Sequence, residues 1–454
     1  MKQIHPAGRR WTSVGVVAAA LMIAPAAIAQ TPQPAETTTI AAADTQPARA
    51  VTLQQALQLA HESNPQVVGA TGAISSAQAA ERSARGAYLP SLSVNAGSSL
   101  AGANTFGTGT AAGVDGMSDS YSAGLSASYD VYTGGRRTAE RTAARAETRA
   151  AEATLTAQRA NVSLDVEKAF YEVLRTEDLT TVAQSRIQRA EEGVTAAQQR
   201  LQLGSATRSD LLRAQLELNT ARGDLLQART ERDAAQLSLG RLVGADEAVT
   251  ATRGDESQVR SLTDAEASAL LASIQGEAPS VLAARAQTES AAAGIDAARS
   301  QYLPSVSVSS GYSWQNQNPA LDESRGSWSV GIGVSYPIFN GYQREESVVR
   351  ARAQQTTAQA QLADAQRAVR TQAASSIGQL RLAEQRIELA EQALATAQED
   401  LRVQRERYRL GSSTILDLLT SQEAVVQAET DVVTARYDHQ IARAELQALA
   451  GREP

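Results

Sequence analysis

The chain states one structural unit twice, and this limits its fold more than any other feature. Ala87-Tyr88-Leu89-Pro90-Ser91-Leu92-Ser93-Val94 returns as Gln301-Tyr302-Leu303-Pro304-Ser305-Val306-Ser307-Val308, from position 87 to position 301, an offset of 214. Leu203-Gly204-Ser205-Ala206-Thr207-Arg208-Ser209-Asp210 returns as Leu410-Gly411-Ser412-Ser413-Thr414-Ile415-Leu416-Asp417, from 203 to 410, an offset of 207. Tyr129 and Gly134 recur as Tyr336 and Gly341 at the same 207. The offset falls between Val308 and Tyr336, which places a net deletion there, in a loop of the second copy. Self-similarity on this scale makes each copy one supersecondary assembly to be solved once and applied twice. Each copy opens with a short helix (53–63 and 264–275). A second helix begins at a proline (65–87 and 279–301), whose missing N–H is harmless in a first turn. Two alternating segments and two very long helical stretches follow.

The alternating segments predict strands at about 89–103 and 121–132, and again at about 303–317 and 327–339. In the fourth, Trp328, Val330, Ile332, Val334, Tyr336 and Ile338 alternate with Ser329, Gly331, Gly333 and Ser335. Strict period two with one apolar face is a half-buried strand. Such a strand suits the edge of a soluble sandwich, or a membrane barrel with lipid outside and water inside. Tyr121, Tyr132, Trp314, Trp328, Tyr336 and Phe339 at the segment ends suit an interfacial girdle. The Gly-, Asn- and Asp-rich links 104–120 and 318–326 read as exposed loops.

The long stretches predict helices at about 136–203, 208–242, 344–410 and 415–450. Leu380, Ile387, Leu394, Leu401 and Tyr408 recur every seven residues, with Ala383, Ala390 and Ala397 three residues after the first three. Val173, Thr180, Ile187, Val194 and Leu201 repeat the pattern in the first copy. A sustained heptad makes a left-handed coiled coil, and alanine at one of its core positions lets the helices approach closely. The first of these helices would be on the order of 100 Å long at about 1.5 Å per residue.

Lys2, Arg9 and Arg10, an apolar stretch from Trp11 to Ala29, and the small residues of Ala27-Ile28-Ala29 form a secretory signal, with cleavage expected before Gln30. Residues 30–50 read as a flexible leader, 51–250 as the first repeat and 251–454 as the second. No other stretch reaches the roughly 20 apolar residues of a spanning helix. The chain has no cysteine, which excludes disulfides, thiol chemistry and an acyl anchor. An aromatic content of 4% argues against an ordinary globular core and for long helices packed through small side chains. A net charge of −7 argues against a nucleic-acid partner. No nucleophile–base pair, metal-ligand spacing or phosphate loop is visible. Neither an enzyme nor a cofactor is expected, and His439, at a core heptad position, reads as a packed residue.

Four strands per chain cannot close a barrel, and open edges are not tolerated in lipid. Three chains would supply twelve strands and twelve long helical segments. The fold class expected is therefore an all-α coiled-coil tunnel joined to a membrane β-barrel (α+β), completed as a homotrimer in outer-membrane lipid. A trimeric coiled-coil scaffold without a conduit is the alternative.

At the ends of the long helices, Gly204 and Gly411 suit left-handed C-terminal caps. Thr207 with Asp210, and Thr414 with Asp417, suit N-terminal capping boxes. A trimer would also gather Asp210 and Asp417 around one mouth, where crowding would raise their pKa values and favour cations.

These residues together resemble the TolC-like outer-membrane efflux proteins over nearly the whole chain from Val51 to Gly451. The marks are Leu53-x-x-Ala56-Leu57 with Asn64-Pro65, the doubled Tyr-Leu-Pro at Tyr88 and Tyr302, Tyr336-Pro337-Ile338-Phe339-Asn340-Gly341, and the doubled Leu-Gly-Ser with Thr-x-x-Asp. The resemblance implies a duct docked on a periplasmic adaptor and an inner-membrane pump, either an ABC exporter or a proton-driven one. It implies passage of drugs, small molecules or unfolded protein. It makes Leu203-Gly204-Ser205 and Leu410-Gly411-Ser412 adaptor-contact turns, places Asp417 in the lumen, and puts Asp210 and Tyr408 among the links that hold the mouth shut. Thr420 stands where the family has a second lumen aspartate, and Ser413 where it has a latch arginine. A less acidic, less tightly latched mouth is expected.

Overall fold

The computed structural model describes residues 49–102, 117–254, 263–316 and 325–451. The cleavage site at Ala27, Ala29 and Gln30, residues 30–48 of the leader, and most of both inter-strand links lie outside them.

The order of elements runs twice. Strand β1 (Arg49–Val51), helices α1 (Leu53–Ser63) and α2 (Pro65–Gly86), strands β2 (Ser91–Gly102) and β3 (Met117–Tyr132), and helices α3 (Arg136–Gln202) and α4 (Arg208–Val243) form the first series. Strand β4 (Val249–Ala251), helices α5 (Asp264–Glu277) and α6 (Pro279–Arg299), strands β5 (Ser305–Asn316) and β6 (Arg325–Ser335), and helices α7 (Gln343–Arg409) and α8 (Ile415–Leu449) form the second. Helices α3 and α7 are each 67 residues long. Local chemistry sets the starts of the short helices. Thr52 and Gln55 form a reciprocal capping box on α1, and Asn64 caps α2 ahead of Pro65.

Strands β2, β3, β5 and β6 form one antiparallel sheet in that order, leaving β2 and β6 at its edges. Its two faces differ sharply. One carries Leu92, Val94, Leu125, Tyr312, Trp328, Val330, Ile332 and Val334, all exposed in the single chain. The other is mostly serine and glycine, with Asn95, Asp130, Gln315 and Arg325 among them. There Ser91–Ser128, Ser93–Ser126, Ser99–Ser120 and Ser313–Ser327 pair across strands with Oγ–Oγ distances of 2.7 Å. The register explains this, since Ser91 faces Ser128 and Leu92 faces Ala127, so like residues share a face.

Strand ends depart from the periodicity. Strands β3 and β6 begin at Met117 and Arg325, inside segments expected as loops. Strand β6 stops at Ser335, so Tyr336, Ile338 and Phe339 lie outside it. Ser335 pairs with Ser305, the first residue of β5, and Pro337 has no N–H to extend a ladder. Arg49 and Ala50, expected in the leader, pair in parallel with Val249 and Thr250. Burial of Val51 and Val249 anchors this small sheet against α1, α3 and α4. Strand β4 therefore runs across the expected boundary between residues 250 and 251.

Where sheet becomes helix, each copy has a buried arginine. Arg137 donates to the Asp130 carbonyl and lies 5.6 Å and 5.1 Å from the ring centroids of Tyr88 and Tyr129. Arg344 donates to the Pro337 and Ile338 carbonyls at 2.7 Å and 3.1 Å and lies 4.9 Å from the Tyr302 centroid. The doubled Tyr-Leu-Pro thus supplies an aromatic face for a cation whose remaining donors cap strand-end carbonyls. Tyr342 begins α7 at φ 65°, a left-handed conformation that the first copy meets with Gly135.

The long helices pack by the heptad. Leu380, Ala383, Ile387, Leu401 and Tyr408 on α7, and Leu418, Val425 and Val432 on α8, are buried, as are Ala190 and Ala197 on α3 and Ala214 and Ala221 on α4. No helix among the described residues is long and apolar enough to cross a membrane.

Candidate functional site

The candidate site lies where α3 turns into α4 and α7 into α8. Both turns have the same backbone. Gly204 and Gly411 take φ 71° and 81°. Gly204 N–H donates to the Leu201 carbonyl and Ser205 N–H to that of Arg200, while Gly411 donates to Tyr408 and Ser412 to Arg407. These pairs close each helix with two bonds to otherwise orphaned carbonyls. The next helix then starts on a reciprocal cap. Asp210 N–H donates to Thr207 Oγ1 at 3.2 Å, and Thr207 N–H and hydroxyl donate to Asp210 Oδ2 at 2.9 Å and 2.8 Å. Thr414 and Asp417 repeat all three distances.

Within one chain the caps set the titration of both aspartates. The Thr207 backbone N–H, then its hydroxyl, hold the Asp210 carboxyl below the usual range, with Arg213 and Arg200 adding to the effect. The Thr414 N–H and hydroxyl do the same for Asp417, helped by Arg407. Hydrogen bonds to the charged form are the main cause in both, and the rise expected from crowding belongs to several chains gathered at one mouth. Each tip therefore carries a fixed negative charge.

The two turns differ in what braces them. Arg200 of α3 reaches across to α7, donating from Nη1 to the Tyr408 carbonyl at 2.7 Å and from Nη2 to Ser205 O at 3.1 Å. Its guanidinium sits 4.4 Å from the Tyr408 ring centroid. Tyr408 is buried, its hydroxyl has no hydrogen-bond partner among the described residues, and burial pushes that hydroxyl's pKa up. Tyr408 is thus bound to Arg200, while Asp210 is held by its own cap. In the second hairpin, Arg407 at the place of Arg200 donates to Ser412 O at 3.5 Å, within its own hairpin. Thr420 is exposed and donates to its own helix at Leu416 O, and the Ser413 hydroxyl is buried without a partner. Leu203 and Leu410 stand 81% and 73% exposed at the two turns as apolar knobs.

Further up, ion pairs tie α3 to its neighbours. Arg189 forms a two-pronged pair with Glu429 of α8 at 3.0 Å and 2.7 Å. Arg186 joins Glu217 and Asp224 of α4 to Glu423 of α8. The heptad reading found the apolar seam and missed Arg186, Arg189 and Arg200, because a flanking arginine has the same sequence signature whether it is braced or solvated. His439 is buried, as its heptad position implied.

A sheet with one apolar and one hydroxyl face, continued into coiled-coil hairpins with capped tips, is the architecture of outer-membrane channel proteins that extend into the periplasm. The family described as "Outer membrane efflux protein" matches residues 56–245 and 270–452, and the chain belongs to it. It is 23% identical over 404 residues to outer membrane protein TolC of Vibrio cholerae, covering 86% of this chain and 89% of that one. It is 27% identical over 372 residues to protein CyaE of Bordetella pertussis, covering 81% and 75%. The crystal structure of the outer membrane protein VceC from Vibrio cholerae superposes with a TM-score of 0.72 at 22% identity, over 88% of this chain and 96% of that one.

Proposed function

We propose that three copies of this chain, after removal of residues 1–29, form an exit duct that passively conducts small molecules or unfolded polypeptide from an inner-membrane pump to the cell exterior. The observation that carries this reading is the four-stranded sheet with a lipid-compatible face, a hydroxyl face and two edge strands. Edge N–H and C=O groups must be paired in hydrocarbon, so β6 of one copy meets β2 of the next. At four strands per chain, three chains give a twelve-stranded barrel. The wall inside it is mostly serine and glycine, and the acidic charge gathers at the tips. There Asp210 and Asp417 form an acidic aperture, and the exposed Leu203 and Leu410 turns dock a periplasmic adaptor. The pump, of the ABC or proton-driven kind, supplies the energy.

The test is the purified protein in planar bilayers. Cation-preferring channels and a trimeric mass in detergent are expected. Asp417→Ala should move the reversal potential toward zero and weaken block by divalent ions. A monomer that stays folded and soluble without detergent, or bilayers that remain silent, would overturn the reading.

A further inference from the structure

Far from the tips, α8 forms the floor of a cleft of about 570 Å³ between α3 and α7, closed on one side by Leu53 and by residues 252–254. That volume suits a small organic ligand. Most charges in its lining are matched. Arg253 pairs with Asp178, which also accepts from the Tyr437 hydroxyl at 2.8 Å. Arg436 pairs with Glu391 at 2.9 Å, and Arg443 is engaged as well. Glu167 differs: only 4% exposed, it lines the cleft and makes no hydrogen bond or ion pair among the described residues. Desolvation by burial pushes its carboxyl up to about 7. Around it stand the aromatic rings of Phe170, Tyr171 and Tyr437. A buried, unmatched carboxyl is costly unless a cation arrives, and aromatic faces also favour a cation with an apolar body.

We propose that this cleft is a binding site for small aromatic or aliphatic amines, with the ammonium on Glu167 and the apolar body against Phe170, Tyr171 and Tyr437. The site is independent of the aperture. Glu167 lies 35 residues before Gln202 on α3, about 50 Å along the helix at about 1.5 Å per residue. An anion is disfavoured because the arginines of the lining already have partners.

Calorimetric titration of the full-length protein in detergent with tryptamine tests this. Saturable binding at one site per chain is expected, with 3-methylindole, which lacks the ammonium, weaker by about tenfold or more, the usual value of a charge-assisted hydrogen bond. Glu167→Gln should weaken tryptamine by a similar factor and leave 3-methylindole unchanged. Val433→Trp, which fills the cleft from α8, should abolish binding of both and decides the matter should Glu167→Gln fail to fold. Absence of saturable binding, equal affinity for the two ligands, or full affinity in Val433→Trp would overturn the proposal. Channel conductance plays no part in the readout, so failure of this site and failure of the duct reading remain distinguishable.

Discussion

Replacing Arg200 by methionine should open the periplasmic end. Methionine keeps much of the side chain's volume and removes the guanidinium. The bond from Arg200 to Ser205 stays within the first hairpin and would survive any motion of α7 against α3. Two contacts cross between helices: the 2.7 Å bond to the Tyr408 carbonyl and the 4.4 Å stacking on the Tyr408 ring. A hydrogen bond from a charged donor contributes about 1.5–3 kcal/mol, and a partly exposed cation–π contact about 0.5–1 kcal/mol. Taking the lower part of both ranges, since the tip is wet, α3 and α7 lose about 2–3 kcal/mol of coupling per chain. That shifts a closed-to-open ratio by roughly 30- to 150-fold. Single-channel recording should show long high-conductance openings where the parent protein shows a mostly closed pore. Arg407→Met is the internal control. Its hydrogen bond to Ser412 O at 3.5 Å and its pull on the Asp417 carboxyl both lie within its own hairpin, so the closed-to-open ratio should not shift. If Arg200→Met conducts like the parent, or Arg407→Met opens equally, the brace assigned to Arg200 is wrong.

Other perturbations have equally definite outcomes. The raised Glu167 means the folded chain keeps a proton between pH 4.5 and about 7 that the unfolded chain has released. Stability should therefore fall as pH rises through that window, by at most roughly 3 kcal/mol per chain, and the pH dependence of thermal unfolding should flatten in Glu167→Gln. The lowered Asp210 and Asp417 act with the opposite sign. Their caps hold above the ordinary pKa of 3.8 and weaken as pH falls below it, so amide exchange in the first turns of α4 and α8 should quicken in acid. Thr207→Ala and Thr414→Ala should each cost about 1 kcal/mol, read as the same local fraying at neutral pH. In Gly134→Ala the new Cβ would sit 2.4 Å from Leu303 Cβ at φ +60°. A loss of about 2 kcal/mol or more is expected, seen as a lower unfolding temperature with the helical spectrum retained.

How much of this was legible depended on whether the determinant was local. Strands and long helices were readable because periods of two and seven repeat over many residues, and duplication let each copy check the other. The β1–β4 pair was not. Three residues carry no period, and Arg49 finds Val249 only because α1, α3 and α4 bring them together. The end of β6 was misplaced because alternation continued through Tyr336 and Ile338 after the partner strand had run out. The Tyr88 and Tyr302 marks were visible, but their partners Arg137 and Arg344 lie 49 and 42 residues further on (137 less 88, 344 less 302). At the tips, Gly204, Gly411 and the Thr–Asp caps could be placed from sequence. The titration of Asp210 and Asp417 could not, because it depends on which oxygen receives which N–H.

The duplication also separates structure from function at the tips. Positions that agree between the copies, Gly204 with Gly411, Thr207 with Thr414 and Asp210 with Asp417, are those that close the turn and form caps with the same hydrogen-bond distances. They make a turn, and any hairpin of this kind needs them. Positions that disagree at the same offset are Leu201 with Tyr408, Gln202 with Arg409, Ala206 with Ser413, Arg208 with Ile415, Ser209 with Leu416 and Arg213 with Thr420. None is required by the turn. Arg200 and Arg407 are alike in type, yet only Arg200 has an aromatic ring to cover, because the ring is Tyr408 in one copy and the matching residue is Leu201 in the other. A link that joins the first hairpin to the second must be asymmetric between copies, or each hairpin would present the same group to the other. The divergence of Leu201 from Tyr408 therefore falls where a moving joint would need it, and the chemistry shared by both copies where a fixed turn would.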